Sequence, residues 1–392
     1  MDATLLTVNA GSSSIKLALF DADGRDTPLA TALMERLGTK EAAAWMKDAS
    51  GARHTLTLSP NDGTDHQSAL AAVLPQMAAA SPAPIEAAGH RIVHGGGAFS
   101  APTLAGKDVL ARLEEFIPLA RSHQPHGLAA IRALQTLWPA IPQVCSFDTG
   151  FHTTLPEAAY TIALPAEIRA RGVRRYGFHG LSYQWIAGQL PQKLGDTAEG
   201  RVIVAHLGNG ASLCGMVACE SRATTMGFTP LDGLVMGERP GLTDPGAILF
   251  MLEEMGLSTA DIRETLFKRS GLLGLSNLSN DMRTLLATDD PKAALAVDVY
   301  CHRVAREVGA MAAEIGGAEA LIFTGGVGEN AALVREKIVC RLDWLGFQLD
   351  HNRNQISAEE LASKESKPIL IVPANEEAVI ARDTRRIAHK RS

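Results

Sequence analysis

The sequence predicts an α/β protein built from two domains of duplicated topology facing a central cleft. Three observations lead there. The stretch Thr4 to Phe20, TLLTVNAGSSSIKLALF, sets a run of turn formers, Asn9–Ser14, between two apolar, β-compatible ends, Leu5–Val8 and Ile15–Phe20, which reads as a hairpin. About half the chain later, Arg201–Val217, RVIVAHLGNGASLCGMV, repeats this plan, and superposing the two sets Gly11 on Gly208 and Asn9 on His206. A length of 392 residues is also more than one typical core and suits two domains.

Composition narrows the class. With 46% apolar residues, 20% charged residues and a net charge of −6, the chain lacks the basic surplus of a nucleic-acid binder. Five cysteines, at 145, 214, 219, 301 and 340, form no C-x-x-C pair and read as reduced, mostly buried thiols of a cytosolic protein. The start carries no signal-like segment, and no run approaches the roughly eighteen apolar residues of a spanning helix. A soluble, cytoplasmic protein without nucleic-acid or membrane partners is expected.

In chain order, the first hairpin turns on Gly11, Ser12, Ser13 and Ser14, whose N–H groups and hydroxyls converge, and Lys16 follows on the next strand. That arrangement suits a phosphate. No Gly-Lys-Ser/Thr sequence occurs, and strand rather than helix follows the turn, so the loop is not of the Walker type. An ordinary polar surface hairpin is the competing reading, and the second copy argues against it. Residues 21–65 read as strands and loops at the domain surface, and Gln67–Ala80 as a helix ending near Ser81–Pro84. In Ala87–Leu104, AAGHRIVHGGGAFSAPTL, Arg91 lies in an alternating segment just before three glycines; by default such an Arg is a packed or solvated side chain.

Lys107–Trp138 carries two helical patterns, with Arg121–Pro125, RSHQP, between them. A strand-like segment from Val144 ends at Asp148, where ligand residues of open α/β sheets gather. The domain boundary is expected near Gly150, giving a first domain over 1–150, completed by a C-terminal helix over 376–392, and a second over 151–375. Ala293–Ile315 reads as a long amphipathic core helix. In Leu321–Asn330, LIFTGGVGEN, a strand runs into Gly325, Gly326 and Gly328, and Asn330 is the expected N-cap of the following helix, which would offer N–H groups to an anion.

Two hairpin phosphate loops with a late Gly-Gly-x-Gly-Glu-Asn turn resemble the actin-like ATPase and sugar-kinase superfold, whose domains are ribonuclease H-like. The wording of the motifs resembles the acetate and propionate kinase family along nearly the whole chain. The match to GHR-x-VHGG implies that Arg91 holds acyl-phosphate oxygens and that Val93 lines a small acyl pocket, with Phe178 and Pro230. His123 matches a substrate-side histidine, and beside it Ser122 stands where the family usually has Leu, which would leave room for one more methylene. Asp148 is implied as a catalytic residue. RRYGFHG, from Arg174 to Gly180, implies a transition-state contact for His179, and the GLSY of residues 180–183 departs from the more usual GTSH.

Met226–Gly246 matches the stretch holding the family's second essential arginine, here Arg239. The family commonly reads MGTRSGDIDP there, so Glu238, Pro240, Leu242 and Thr243 depart, and Glu238 becomes a candidate partner of Arg239. Implied nucleotide contacts are Ser12, Lys16, His206, Leu207, Gly208, Asn209, Gly210, Asp281, Met282, Arg283, Gly326, Val327, Gly328, Glu329 and Asn330. Mg²⁺, with Mn²⁺ as substitute, would be held by Asn9 and by Glu376, at the start of the last helix; a cation carried on nucleotide phosphates needs few protein oxygens. The resemblance also implies a homodimer through the second domain.

The implied reaction is reversible transfer of the ATP γ-phosphoryl group to acetate, giving acetyl phosphate and ADP by direct in-line transfer. Propionate is the alternative acceptor. Acetate is ionised at neutral pH, so no general base is required and catalysis reduces to positioning and charge neutralisation. For Asp148 this favours orienting an Arg or the metal over proton transfer. A sugar kinase would need an Asp base and a polar pocket, and an actin-like filament or regulatory protein would not need two arginines at a phosphoryl group.

Overall fold

The computed structural model describes residues 3–11, 13–59, 61–121 and 123–388. It divides into two compact units, Met1–Phe151 with Asn375–Ser392, and His152–Ala374.

In the first unit the strands are β1 (Thr4–Ala10), β2 (Ser14–Asp21), β3 (Ala30–Glu35), β4 (Ala43–Asp48), β5 (Arg53–Thr55), β6 (Ile85–Ile92), β7 (Thr103–Leu104) and β8 (Gln143–Phe147). The helices are α1 (His66–Ala80), α2 (Lys107–Glu114) and α3 (Gln124–Leu137). The sheet runs β5-β4-β3-β2-β1-β6-β8-β7. Strands β1 to β5 form an antiparallel meander, and β6 and β8 add parallel to β1. Covered on both faces, β1 reads as a nearly continuous apolar run. Leu6, Val8, Leu17 and Leu19 pack with Leu70, Val73, Ala130 and Leu134 of α1 and α3, while the alternate residue Leu5 faces the other way, with Ala87. The expectation that residues 21–65 lie at the surface needs correction, because Ala30, Ala32 and Met34 of β3 are part of this core; only β5 is wholly exposed.

The second unit contains the short helices α4 (Glu157–Tyr160) and α5 (Ala166–Arg169), then α6 (Gly180–Leu194), β9 (Arg201–Leu207), β10 (Ala211–Val217) and β11 (Glu220–Thr224). There follow α7 (Pro245–Glu253), α8 (Thr259–Lys268), α9 (Gly271–Ser276), α10 (Met282–Leu286) and α11 (Pro291–Ile315). The unit ends with β12 (Ala320–Thr324), α12 (Gly325–Asn330), α13 (Ala332–Val339), α14 (His351–Gln355) and β13 (Ile369–Ile371). Its sheet is β11-β10-β9-β12-β13, with β9, β10 and β11 antiparallel and β9, β12 and β13 parallel. In each unit, then, the first strand has its hairpin partner on one side and parallel strands on the other, which is the duplicated topology that the sequence predicts.

The last helix, α15 (Glu376–Ala388), returns to the first unit and lies across β1, β6 and β8. Gly89 allows this contact: a Cβ there would stand 2.0 Å from Thr384 Oγ1 and 2.6 Å from an Ile380 methyl.

Candidate active site

The parallel strands of the first unit end side by side, and their C-terminal ends carry Asn9, Arg91 and Asp148, where such sheets place ligand residues. Arg91 grips Asp148 as a fork: Nη2 donates at 2.6 Å and Nε at 3.1 Å. Its Nη1 donates to Asn9 Oδ1 at 3.2 Å and lies 3.7 Å from Glu376 Oε2, at the start of α15. Burial works against the guanidinium, but Asp148 and Glu376 outweigh it and hold the Arg91 pKa above its ordinary value. Burial also lifts the Asp148 carboxyl, against the lowering pull of Arg91. Lys16 is exposed and is the cross-strand partner of Asn9, so the two side chains share a face.

After β6 the chain is held by a residue that sequence reasoning missed. Gln124, fully buried at the start of α3, accepts from His94 N at 3.1 Å and donates to His94 O at 3.0 Å, while Gly95 N donates to Thr149 Oγ1 at 3.2 Å. Val93 is buried beside this turn, and His123 immediately precedes α3. Ser12 and Ser122 lie outside the described residues.

Among the described residues no group of three or more His, Cys, Asp or Glu side chains is arranged to hold a metal ion. The Asn9 amide oxygen and the Glu376 carboxylate are hard oxygen donors of the kind Mg²⁺ takes, and two carboxylates against one guanidinium leave negative charge over. The donor set fits a cation that brings most of its own ligands.

In the second unit His179 sits at the N-terminus of α6 in the left-handed conformation, φ 56°, a strained backbone for a non-glycine residue. Its ring stacks on His206 with centroids 4.3 Å apart, and its Nδ1 lies 2.8 Å from Ser212 Oγ. Arg239 donates through Nη1 to Pro230 O at 2.6 Å. A Cβ built on Gly210 would stand 2.9 Å from Arg239 Nη2 and 3.2 Å from His179 Nε2, so three segments converge on a cradle that only glycine leaves open. Burial pushes the Arg239 pKa down to about 10, with Glu238 opposing, so the side chain stays cationic at neutral pH. Glu238, the candidate partner of Arg239, accepts from Asn280 Nδ2 at 3.0 Å, and among the described residues no ion pair joins it to Arg239. Phe178 and Pro230 are buried in this unit.

Beside the cradle lies a cavity of about 790 Å³ lined by Gly208, Asn209, Leu272, Asn280, Asp281, Met282, Arg283, Leu286, Gly326, Val327, Asn330 and Ala331. Eight of the expected nucleotide residues therefore share one wall set. Leu272, Asn280, Leu286 and Ala331 were not anticipated, since an apolar wall has no motif of its own. Leucine walls with an amide and charged rim suit a flat heteroaromatic ring with polar edges. Asp281 is also the N-cap of α10 and pairs with Arg283 at 2.7 Å.

Other expectations fail here. Residues 325–330 are a helix rather than a turn, α13 starts without a side-chain cap, and Asn330 Nδ2 donates back to Gly326 O at 2.9 Å, so Asn330 is not an N-cap. Glu329 does not line the cavity: its Oε1 accepts from Gly325 N at 2.9 Å and Ala374 N at 3.0 Å, which also uses the N–H that an anion would need. Leu207 and Gly328 are buried behind the wall, and His206 and Gly210 belong with His179.

A model of the acetokinase family matches residues 4–382. The chain is 45% identical over 395 residues to an acetate kinase of Rhodopseudomonas palustris, covering 99% of each chain. It is 41% identical to acetate kinase 1 of Neisseria meningitidis serogroup B, covering 98% of each. It shares the fold of a solved propionate kinase from Francisella tularensis, with a TM-score of 0.91 and 37% identity over 98% of this chain and 100% of the other. The solved acetate kinase of Porphyromonas gingivalis gives a TM-score of 0.87, again at 37% identity, over 98% and 99%.

Proposed function

The chain belongs to the acetokinase family, and from that premise we propose that it transfers the γ-phosphoryl group of ATP to acetate, reversibly, giving acetyl phosphate and ADP. One observation carries the choice of a carboxylate over a sugar acceptor: both oxygens of Asp148 accept hydrogen bonds from Arg91. A carboxylate so engaged is an orienting group and a poor base for a hydroxyl, whereas ionised acetate requires no base.

Arg91, aimed by Asp148, binds the oxyanions of the acyl substrate. Arg239 and His179 Nε2, converging at Gly210, neutralise charge on the phosphoryl group as it leaves ADP, and Lys16 adds a further cation. The cavity beside Gly208 and Gly326 takes the adenosine. Asn9 and Glu376 would hold Mg²⁺, or Mn²⁺ in its place, which when bound neutralises the polyphosphate. Val93, Phe178 and Pro230 supply apolar surface for a short acyl chain. We assign the protein to the cytoplasm, where ATP is made and used, and to a homodimer joined through its second unit.

A hydroxamate-trapping assay with ATP, Mg²⁺ and acetate tests the reading, with propionate and glucose in parallel. Acyl hydroxamate from acetate is expected, with no ATP consumption dependent on glucose. The similarity to a solved propionate kinase supports propionate as second acceptor, and a higher kcat/KM for propionate would make it the main one. No hydroxamate from either acid would end the proposal.

A further inference from the structure

Next to the strained backbone of His179 stands a second, buried histidine. His152, at the start of the second unit in the short 3₁₀ turn Gly150–Thr154, is 1% exposed, and its Nε2 lies 2.9 Å from the carbonyl oxygen of Phe178, the residue immediately before His179. Its Nδ1 lies 2.8 Å from Ser221 Oγ on β11. The face of the ring meets Gly177: a Cβ there would stand 2.5 Å from His152 Cδ2 and 2.6 Å from Cγ, so only glycine lets the 177–179 turn lie flush on the imidazole. We propose that His152 is a positioning residue: Nε2–H donates to Phe178 O and so holds His179 in the left-handed conformation that turns its imidazole to the cradle at Gly210 and Arg239.

The direction of this bond follows from its acceptor. A carbonyl oxygen can only accept, so the proton sits on His152 Nε2 whatever the ring's other contacts. Burial pushes the His152 pKa down to about 4, so at neutral pH the ring is neutral and Nδ1 accepts from Ser221 Oγ. The turn that carries His152 is itself fixed on β11: Thr154 Oγ1 donates to Ser221 O at 2.8 Å, and Arg222 Nη1 donates to Thr154 O at 3.1 Å. The imidazole thus bridges β11 and the peptide plane from which φ of His179 is measured. With that φ at 56°, a released carbonyl would let the backbone relax out of the left-handed region, and the His179 ring would lose its fixed direction. Ser212, 2.8 Å from His179 Nδ1 and 2.5 Å from the Tyr183 hydroxyl, engages the ring, whereas His152 engages the backbone. A group held in place needs no reorganisation at the moment of transfer, and a displacement of about 1 Å can cost about 10²-fold in rate.

This inference rests on the reading of His179 as a phosphoryl contact, and the two fail separately. His152→Gln places an amide N–H near the position of Nε2, within reach of Phe178 O, whereas His152→Asn reaches only toward Ser221. In His152→Asn, kcat per folded molecule should fall roughly 10–10²-fold with little change in KM for ATP or acetate, and His152→Gln should recover most of it; urea midpoints measured alongside separate this from lost stability. Equal kcat in the two variants, or a loss that only tracks the urea midpoint, would overturn the proposal. In the otherwise natural protein labelled with ¹⁵N-histidine, long-range ¹H–¹⁵N correlation at neutral pH should show the His152 ring, assigned by its shift in Ser221→Ala, protonated at Nε2. A ring protonated at Nδ1 alone would overturn the proposal even where neither substitution of His152 folds. Should His179→Ala lose activity while His152→Asn keeps its kcat, His152 has no positioning role and the site reading stands. Retention of activity in His179→Ala would remove the site reading, and with it the role given to His152.

Discussion

At the residue scale the proposed reaction depends on two arginines, and they are prepared differently. Arg91 is a forked, carboxylate-bound guanidinium, whereas Arg239 is a buried cation anchored on a backbone carbonyl. Arg239→Ala should therefore lower kcat by about 10²–10³-fold with little effect on ATP binding. Steady-state kinetics with an ATP titration checks this, and near-normal turnover would mean that the phosphoryl site lies elsewhere. Arg91→Ala should weaken acetate and also destabilise the fold by about 3–5 kcal/mol, because Asp148, 1% exposed, would be left as a buried charge without its partner; urea unfolding gives the number. Replacing Glu376 by Ala should raise the Mg²⁺ half-saturation point far more than it changes the acetate KM. Titrating Mg²⁺ at saturating acetate decides it, since an unmoved half-point would take the metal role from Glu376. Arg91 and Asp148 could be picked from motifs 57 positions apart. Tyr183 and Ser212 could not, because their contact depends on how α6 meets β10, which no local spacing records.

At the scale of elements, both glycine hairpins and the helices α1, α3 and α11 were legible, since each has its own apolar period and turn chemistry. The stretch 325–330 was not. Three glycines read locally as a turn, and the short helix exists because Glu329 closes on Gly325 and on Ala374, 45 positions away, and because Arg335 braces its end. Arg335 is fully buried without a carboxylate; it donates to the carbonyls of Gly328, Glu329 and Asn354, and to Asn354 Oδ1 at 2.8 Å. It ties the wall of the cavity beside Gly208 and Gly326 to α14. Arg335→Leu should cost on the order of 3 kcal/mol, as several acceptors lose a charged donor, and in the folded fraction should raise KM for ATP more than for acetate. A variant equal to the natural protein in urea midpoint and in KM for ATP would show that α12 needs no such brace.

At the scale of the molecule, α7 stands out: none of its residues is buried, and Leu249 and Phe250 are 52% and 57% exposed. Exposed apolar side chains of this kind suit the homodimer proposed through the second unit. The amphipathic period of α11 reads as that of a core helix, and its apolar side, with Val297, Tyr300, Cys301, Val304 and Val308, is indeed buried. If α7 joins two copies, Leu249→Glu with Phe250→Glu should convert a dimer to a folded monomer in light scattering, and a natural protein already monomeric at micromolar concentration would contradict the dimer. In the proposed reaction an acetate oxygen attacks the γ-phosphorus. With carboxyl-¹⁸O acetate and unlabelled ATP, the product expected is acetyl phosphate whose phosphorus bears one ¹⁸O, at the bridge to the acetyl group, visible as an isotope shift in ³¹P NMR. Acetyl phosphate with an unlabelled bridge would mean that a phosphate oxygen attacks an activated acetyl group, and would contradict it.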